Sequence, residues 1–241
     1  MFWAVSLAAQ NAKEESMSEI IYKDTQIVVG YKPAGTPTQP EPSGDVDFMT
    51  EISAKLEELK EKSELFLIHR LDRVVGGLLV LARNRDSAAR LSALAASAEL
   101  GKAYLAVVEG ECTGGVMEDY LYKNAALGKS VVTDGKKYGA KLARLEYECV
   151  ETVDAPTGKR SLVRIVLHSG RFHQIRAQFS SRSMPLVGDN KYGSRDKRSR
   201  MPALFAHRID IELNEKIHVS KLPDTSEYPW SLFSEESYKN V

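Results

Sequence analysis

The chain has 241 residues, 43% of them hydrophobic and 27% charged, with equal numbers of acidic and basic side chains. That length supports one large domain or two small ones around a real core, and the composition excludes a disordered chain. A pI near 7.0 excludes a uniformly basic nucleic-acid binder but leaves room for local basic patches.

The opening MFWAVSLAAQ lacks a basic n-region and does not read as a signal peptide. Residues 1–18 read as an N-terminal extension, and no linker or repeat divides residues 19–241. No apolar run approaches transmembrane length. The two cysteines, Cys112 and Cys149, stand far apart without metal-ligand spacing, which fits a reducing, cytoplasmic setting.

Residues 20–22 and 27–31 predict two short strands around a turn at Lys23-Asp24-Thr25. The Pro- and Gly-rich stretch 32–44 that follows predicts a loop. Over 45–62, Phe48, Ile52, Leu56 and Leu59 recur at helical spacing, which predicts an amphipathic helix. Residues 68–84 read IHRLDRVVGGLLVLARN. Glycines bound an apolar run here, the pattern of a buried strand. Asp72 lies between Arg70 and Arg73 at the strand junction. Cations this close hold a carboxylate ionised, as a nucleophile requires. An aspartate at a strand end also caps turns through its side-chain oxygen, so the stretch by itself leaves both readings open.

An alanine- and leucine-rich helix follows over 86–98, with Asn84 or Asp86 as its cap. Residues 102–110 predict a strand from their Tyr and Val content. The stretch 110–139 reads as mainly loop. Its Gly128-Lys129-Ser130 is not a phosphate loop, because Lys123 occupies the position of the required earlier glycine. Residues 142–150 alternate, with Ala143, Leu145, Tyr147 and Cys149 on one face, and pair with 162–167 as a hairpin. Phe172, Ile175 and Phe179 stand at helical spacing and predict a helix starting there. The window 191–200 carries five cations against one acid, the local patch that phosphate contact needs. Residues 204–213 predict a further strand.

None of the five histidines stands in a zinc-binding array, and neither a G-x-S-x-G nor a G-x-G-x-x-G motif occurs. Separated segments carry a resemblance instead. These are Lys32-Pro33-Ala34-Gly35, His69-Arg70-Leu71-Asp72 with Gly77-Leu78-Leu79, Lys102-Ala103-Tyr104, and Gly170-Arg171-Phe172-His173-Gln174-Ile175-Arg176. Met184-Pro185-Leu186-Val187-Gly188-Asp189 follows in the same order. Together they resemble the catalytic domain of the RluA-type pseudouridine synthases, without an N-terminal RNA-binding appendage.

The resemblance implies an α+β fold with a mainly antiparallel, bent central sheet flanked by helices and loops. It implies conversion of uridine to pseudouridine in structured RNA, ribosomal or transfer, with the target nucleotide flipped out. It assigns Asp72, Tyr104 and Arg176 to catalysis, Arg176 as the ion-pair partner of Asp72. It assigns His69, Arg70, Arg171 and Ile175 to substrate binding. No metal, nucleotide cofactor or membrane is implied, and a monomer is expected. Two departures stand out: Val74-Val75-Gly76 replaces the family's D-T-S, and Phe172 replaces a threonine. The first leaves open a second reading, a catalytically inactive RNA-binding protein of the same fold.

Overall fold

A computed structural model describes residues 17–239 and 241, so the extension expected over 1–18 lies almost wholly outside the described residues. The chain divides into two compact units, the first running through Ala95 and the second spanning Ala96–Val241.

In the first unit, β1 (Glu19–Lys23) and β2 (Ile27–Lys32) form a hairpin. Its turn is tied by the Asp24 carboxylate, which accepts the Gln26 and Ile27 N–H groups at 2.6 and 2.8 Å. β2 pairs antiparallel with β4 (Gly76–Ala82), and so does the short β3 (Phe66–Leu67). Every residue of β4 is buried, as its unbroken apolar run predicts. Helix α1 (Phe48–Glu58) is shorter than the expected 45–62, because Asp47 caps it by accepting from the Thr50 N–H and hydroxyl. Phe48, Ile52 and Leu56 are fully buried. Leu59, expected on the same face, is the C-cap and 54% exposed, since the backbone has already left helical geometry there. The Phe48 ring packs against Gly30, where a Cβ would come within 2.8 Å of it. Only glycine lets the helix approach β2 so closely. Helix α2 (Arg85–Ala96) uses Asn84, whose Oδ1 accepts the Ser87 N–H at 2.9 Å, as its cap.

The second unit is built on β5 (Gly101–Glu109), β6 (Gly115–Asn124), β7 (Lys129–Thr133), β8 (Lys141–Val153), β9 (Arg160–Leu167), β10 (Leu204–Glu212) and β11 (Lys216–Ser220). These pair in the order β11-β10-β5-β9-β8-β6-β7, every neighbour antiparallel. The chain is therefore mixed α/β with a large, mainly antiparallel sheet, the class its sequence predicts. Leu105, Val107 and Leu162 pack with Val187, Ala203, Phe233 and Tyr238 as one core cluster. Cys112 and Cys149, remote in sequence, come together in space. Burial first, and then the hydrogen-bonded Cys149 sulfur, push the Cys112 thiol up to about 12, far from a reactive thiolate.

Two expectations are corrected. Residues 110–139 are not mainly loop, because β6 and β7 form a hairpin there. Their glycines and charges read as loop because one face of each strand meets solvent. The other face is apolar: Met117 and Leu121 are buried. Helix α3 (Gln174–Ser181) covers that face, Ala177 packing with Leu121, Ala143 and Tyr192. The helix expected from Phe172 begins at Gln174. His173 is its N-cap in the left-handed region at φ 50°, and Phe172 stands outside it.

Candidate active site

Asp72 stands half-buried on the turn between β3 and β4, which the Val75 N–H closes by donating to the Asp72 carbonyl at 2.9 Å. Three ties hold this turn to the loop after β2. The Thr38 hydroxyl donates to the Leu71 carbonyl at 2.8 Å, the Gly35 N–H to the Arg73 carbonyl at 2.7 Å, and Lys32 supplies the third. Its ammonium, on a side chain 0% exposed, donates to the carbonyls of Pro33, Thr36 and Arg73 at 3.0, 2.8 and 3.2 Å. Burial pushes the Lys32 amine down to about 7, while the Asp72 carboxylate pulls it back up.

The local charge pattern therefore differs from the one read in the sequence. Arg73 does not serve Asp72. Its guanidinium turns to Asp45 at 2.5 Å, with Glu41 at 3.6 Å. Lys32, which sequence alone left in a loop, is a cation whose field reaches Asp72 inside this unit. Arg70 is exposed, with no hydrogen-bond or ion-pair partner among the described residues. The His69 ring lies against β4, its Nε2 accepting the Val80 N–H at 3.4 Å. The departures at Val75 and Gly76 are both buried, and a Cβ on Gly76 would come within 3.2 Å of the Ala34 nitrogen. They form part of the same pinned loop.

Lys32→Met keeps the apolar stem and withdraws the donors. Stranding a buried carbonyl costs roughly 1–3 kcal/mol. Relief of a charge already matched by three carbonyls and Asp72 returns less, so net destabilisation is expected. A lower denaturant midpoint at unchanged slope checks this.

In the second unit Tyr104 is buried on β5, between Ile165 of β9 and Ala206 of β10. Arg171, Ile175 and Arg176 gather at the start of α3. Arg171 is exposed and donates Nε–H to the Leu142 carbonyl at 2.9 Å, whereas Ile175 is buried. Arg176, 5% exposed, donates Nε–H and Nη2–H to the two Asp189 oxygens at 2.6 and 2.8 Å, and its guanidinium lies 5.0 Å from the Tyr192 ring centre. A fork of this kind fixes a guanidinium in plane and direction. Sequence reading gave Asp189 no role. The signal was its preceding glycine: Gly188 has φ +80°, and a Cβ there would meet the Met201 carbonyl at 2.3 Å. Only glycine makes the turn that delivers Asp189 to Arg176.

The Tyr192 hydroxyl accepts the Ser130 N–H at 2.7 Å and joins His173 Nδ1 at 2.9 Å. Burial, then the charges of Arg176, Lys191 and Lys123, push the His173 imidazole down to about 3. The unfolded chain, with an ordinary histidine near 6.5, then binds the extra proton between those values. Stability from this group is complete above pH 6.5 and is lost as pH falls toward 3. His173→Gln is expected to flatten that acid limb in thermal melts, and the ring protons of His173 should not shift in NMR spectra between pH 8 and 5.

The fold is that of pseudouridylate synthases. The chain superimposes on human RNA Pseudouridylate Synthase Domain Containing 1 with TM-score 0.74 at 20% identity, covering 89% of this chain and 86% of that one. For human RNA Pseudouridylate Synthase Domain Containing 4 the TM-score is 0.69 at 21% identity, covering 93% and 94%. In sequence, the family model for RNA pseudouridylate synthase matches residues 26–181, and the chain belongs to that family. It is 30% identical over 208 residues to ribosomal large subunit pseudouridine synthase C of Rickettsia conorii, covering 86% of this chain and 66% of the relative. Synthase D of Pseudomonas aeruginosa is 31% identical over 201 residues, covering 82% and 59%. An uncharacterized RNA pseudouridine synthase of Zymomonas mobilis is 30% identical, covering 87% and 92%. The chain thus spans about two thirds of the length of the Rickettsia relative.

Proposed function

We propose that this chain isomerises specific uridines to pseudouridine in structured RNA, breaking the bond between uracil N1 and the ribose C1′ and joining uracil C5 to C1′ instead. The family match carries the reading, because residues 26–181 include Asp72, Tyr104 and Arg176, each the residue type its motif requires. Asp72 acts as nucleophile or base on a turn held by Lys32, Gly35 and Thr38. Arg176 supplies the positive charge that keeps the reacting carboxylate ionised. Tyr104 stacks on the uracil and takes the C5 proton in the last step, and Ile175 contributes apolar wall. The target base must leave its stack, at a cost of about a few kcal/mol. Arg70, unengaged by other described residues, fills the vacated place, while His69 and Arg171 hold the RNA.

Ribosomal RNA is the substrate class that the names of the Rickettsia and Pseudomonas relatives favour, with transfer RNA the next choice. The chain acts as a monomer in the cytoplasm, its chemistry carried by side chains. Mapping pseudouridines in total RNA from cells with and without this gene tests the reading. Loss of a site names the substrate, and an unchanged map counts against catalysis.

A further inference from the structure

Phe172, standing where the family segment has threonine, is the departure that adds a large side chain. Its carbonyl accepts the Ser130 hydroxyl at 2.5 Å, which pins the residue to β7. The half-buried ring stacks on the His173 imidazole, centroids 3.8 Å apart and planes 20° from parallel. His173 in turn meets the Tyr192 ring edge-on at 5.6 Å. Ammonium groups surround this ladder. Lys123 Nζ lies 4.6 Å from the Phe172 centroid and Lys129 Nζ 5.9 Å from that of Tyr192. Lys191 reaches in from the following loop, its Nζ on the Gly128 carbonyl at 2.9 Å. Among the described residues no carboxylate pairs with any of these three lysines.

We infer that the Phe172–His173 stack, with Lys123, Lys129 and Lys191, is a docking patch for an unpaired nucleotide of the RNA substrate, base on the Phe172 ring and phosphates on the ammonium groups. Every base has a π-face, and an aromatic ring amid unpaired cations is the arrangement that holds single-stranded RNA. The neutral imidazole supports the ring without adding a charge behind it. Lys123 is exposed and held over Phe172 by the cation–π contact alone among the described interactions, so it can swing to a phosphate and yield the ring face. A threonine offers no such surface. An acidic peptide would use the lysines but has no need of the ring. The inference rests on the proposed RNA substrate and adds where a second nucleotide sits.

The test uses a fluorescent RNA hairpin with an unpaired loop and the same stem closed into a full duplex. Wild type should prefer the hairpin. Phe172→Thr should bind the hairpin about tenfold more weakly, the scale of one lost base stack, with duplex affinity unchanged. Phe172→Trp should keep the preference, and Lys123→Gln should reduce the salt dependence of binding. The inference is overturned if Phe172→Thr binds the hairpin as wild type does, if it weakens hairpin and duplex equally, or if Phe172→Trp fails with it. Equal competition by a polyglutamate peptide would also overturn it, assigning the patch to an acidic partner. Because these arms read binding, a protein that forms pseudouridine without using Phe172 loses this inference only. One that binds through Phe172 but forms no product loses the proposed function only.

Discussion

Asp72→Asn is expected to reduce pseudouridine formation by more than about 10³-fold, the scale on which enzymes lose rate when the reacting group itself is removed. Asparagine has the same shape, but its oxygen is tied up in amide resonance and neither attacks carbon nor accepts a proton at neutral pH. The turn should survive, since the ties through the carbonyls of Leu71, Asp72 and Arg73 are left in place by the substitution. RNA affinity should hold or tighten slightly, because one negative charge has been taken from a surface that meets a polyanion. Loss of that charge also removes the larger of the two influences, Asp72 and then Glu41, that raise the Lys32 amine, so its pKa should drop further. Tritium release from C5-labelled uridine in RNA measures turnover, and filter binding on the same RNA measures affinity. Turnover that persists in the variant would remove Asp72 from the chemistry. A wild-type protein that binds but releases nothing would favour the inactive RNA-binding reading.

Asp189→Asn should produce the largest loss of stability. Arg176 and Asp189 are 5% and 1% exposed, and the carboxylate accepts two charge-assisted bonds at 2.6 and 2.8 Å. Removing one partner of a buried pair costs roughly 3–5 kcal/mol, because a desolvated charge loses its acceptor. The amide can still take one weaker bond, which places the expected loss near the lower end of that range. Replacing both members, as Arg176→Met with Asp189→Leu, should recover much of the stability but, on the role proposed for Arg176, no activity. Urea unfolding of the single and double variants beside wild type checks this, and a single Asp189→Asn as stable as wild type would show the pair contributes little.

Of the fold, the sequence alone determined the parts whose burial is written in a local repeat. The unbroken apolar run of β4, the alternation of β8 and the helical spacing of Phe48, Ile52 and Leu56 each appear where they were expected. It also supplied the residues proposed to carry the chemistry, because Asp72, Tyr104 and Arg176 sit in short segments that resemble the family's when taken together and in order. Tertiary structure alone decided the partners. Arg73, adjacent in sequence, turns to Asp45, while Lys32 reaches the Asp72 turn from β2. Asp189 meets Arg176 from across a glycine turn, and the β6–β7 hairpin exists as sheet because α3 covers its apolar face. A periodic pattern reports which face a segment prefers to bury. It carries no record of which distant carbonyl, carboxylate or helix will be there to meet it, and that depends on how the whole chain packs.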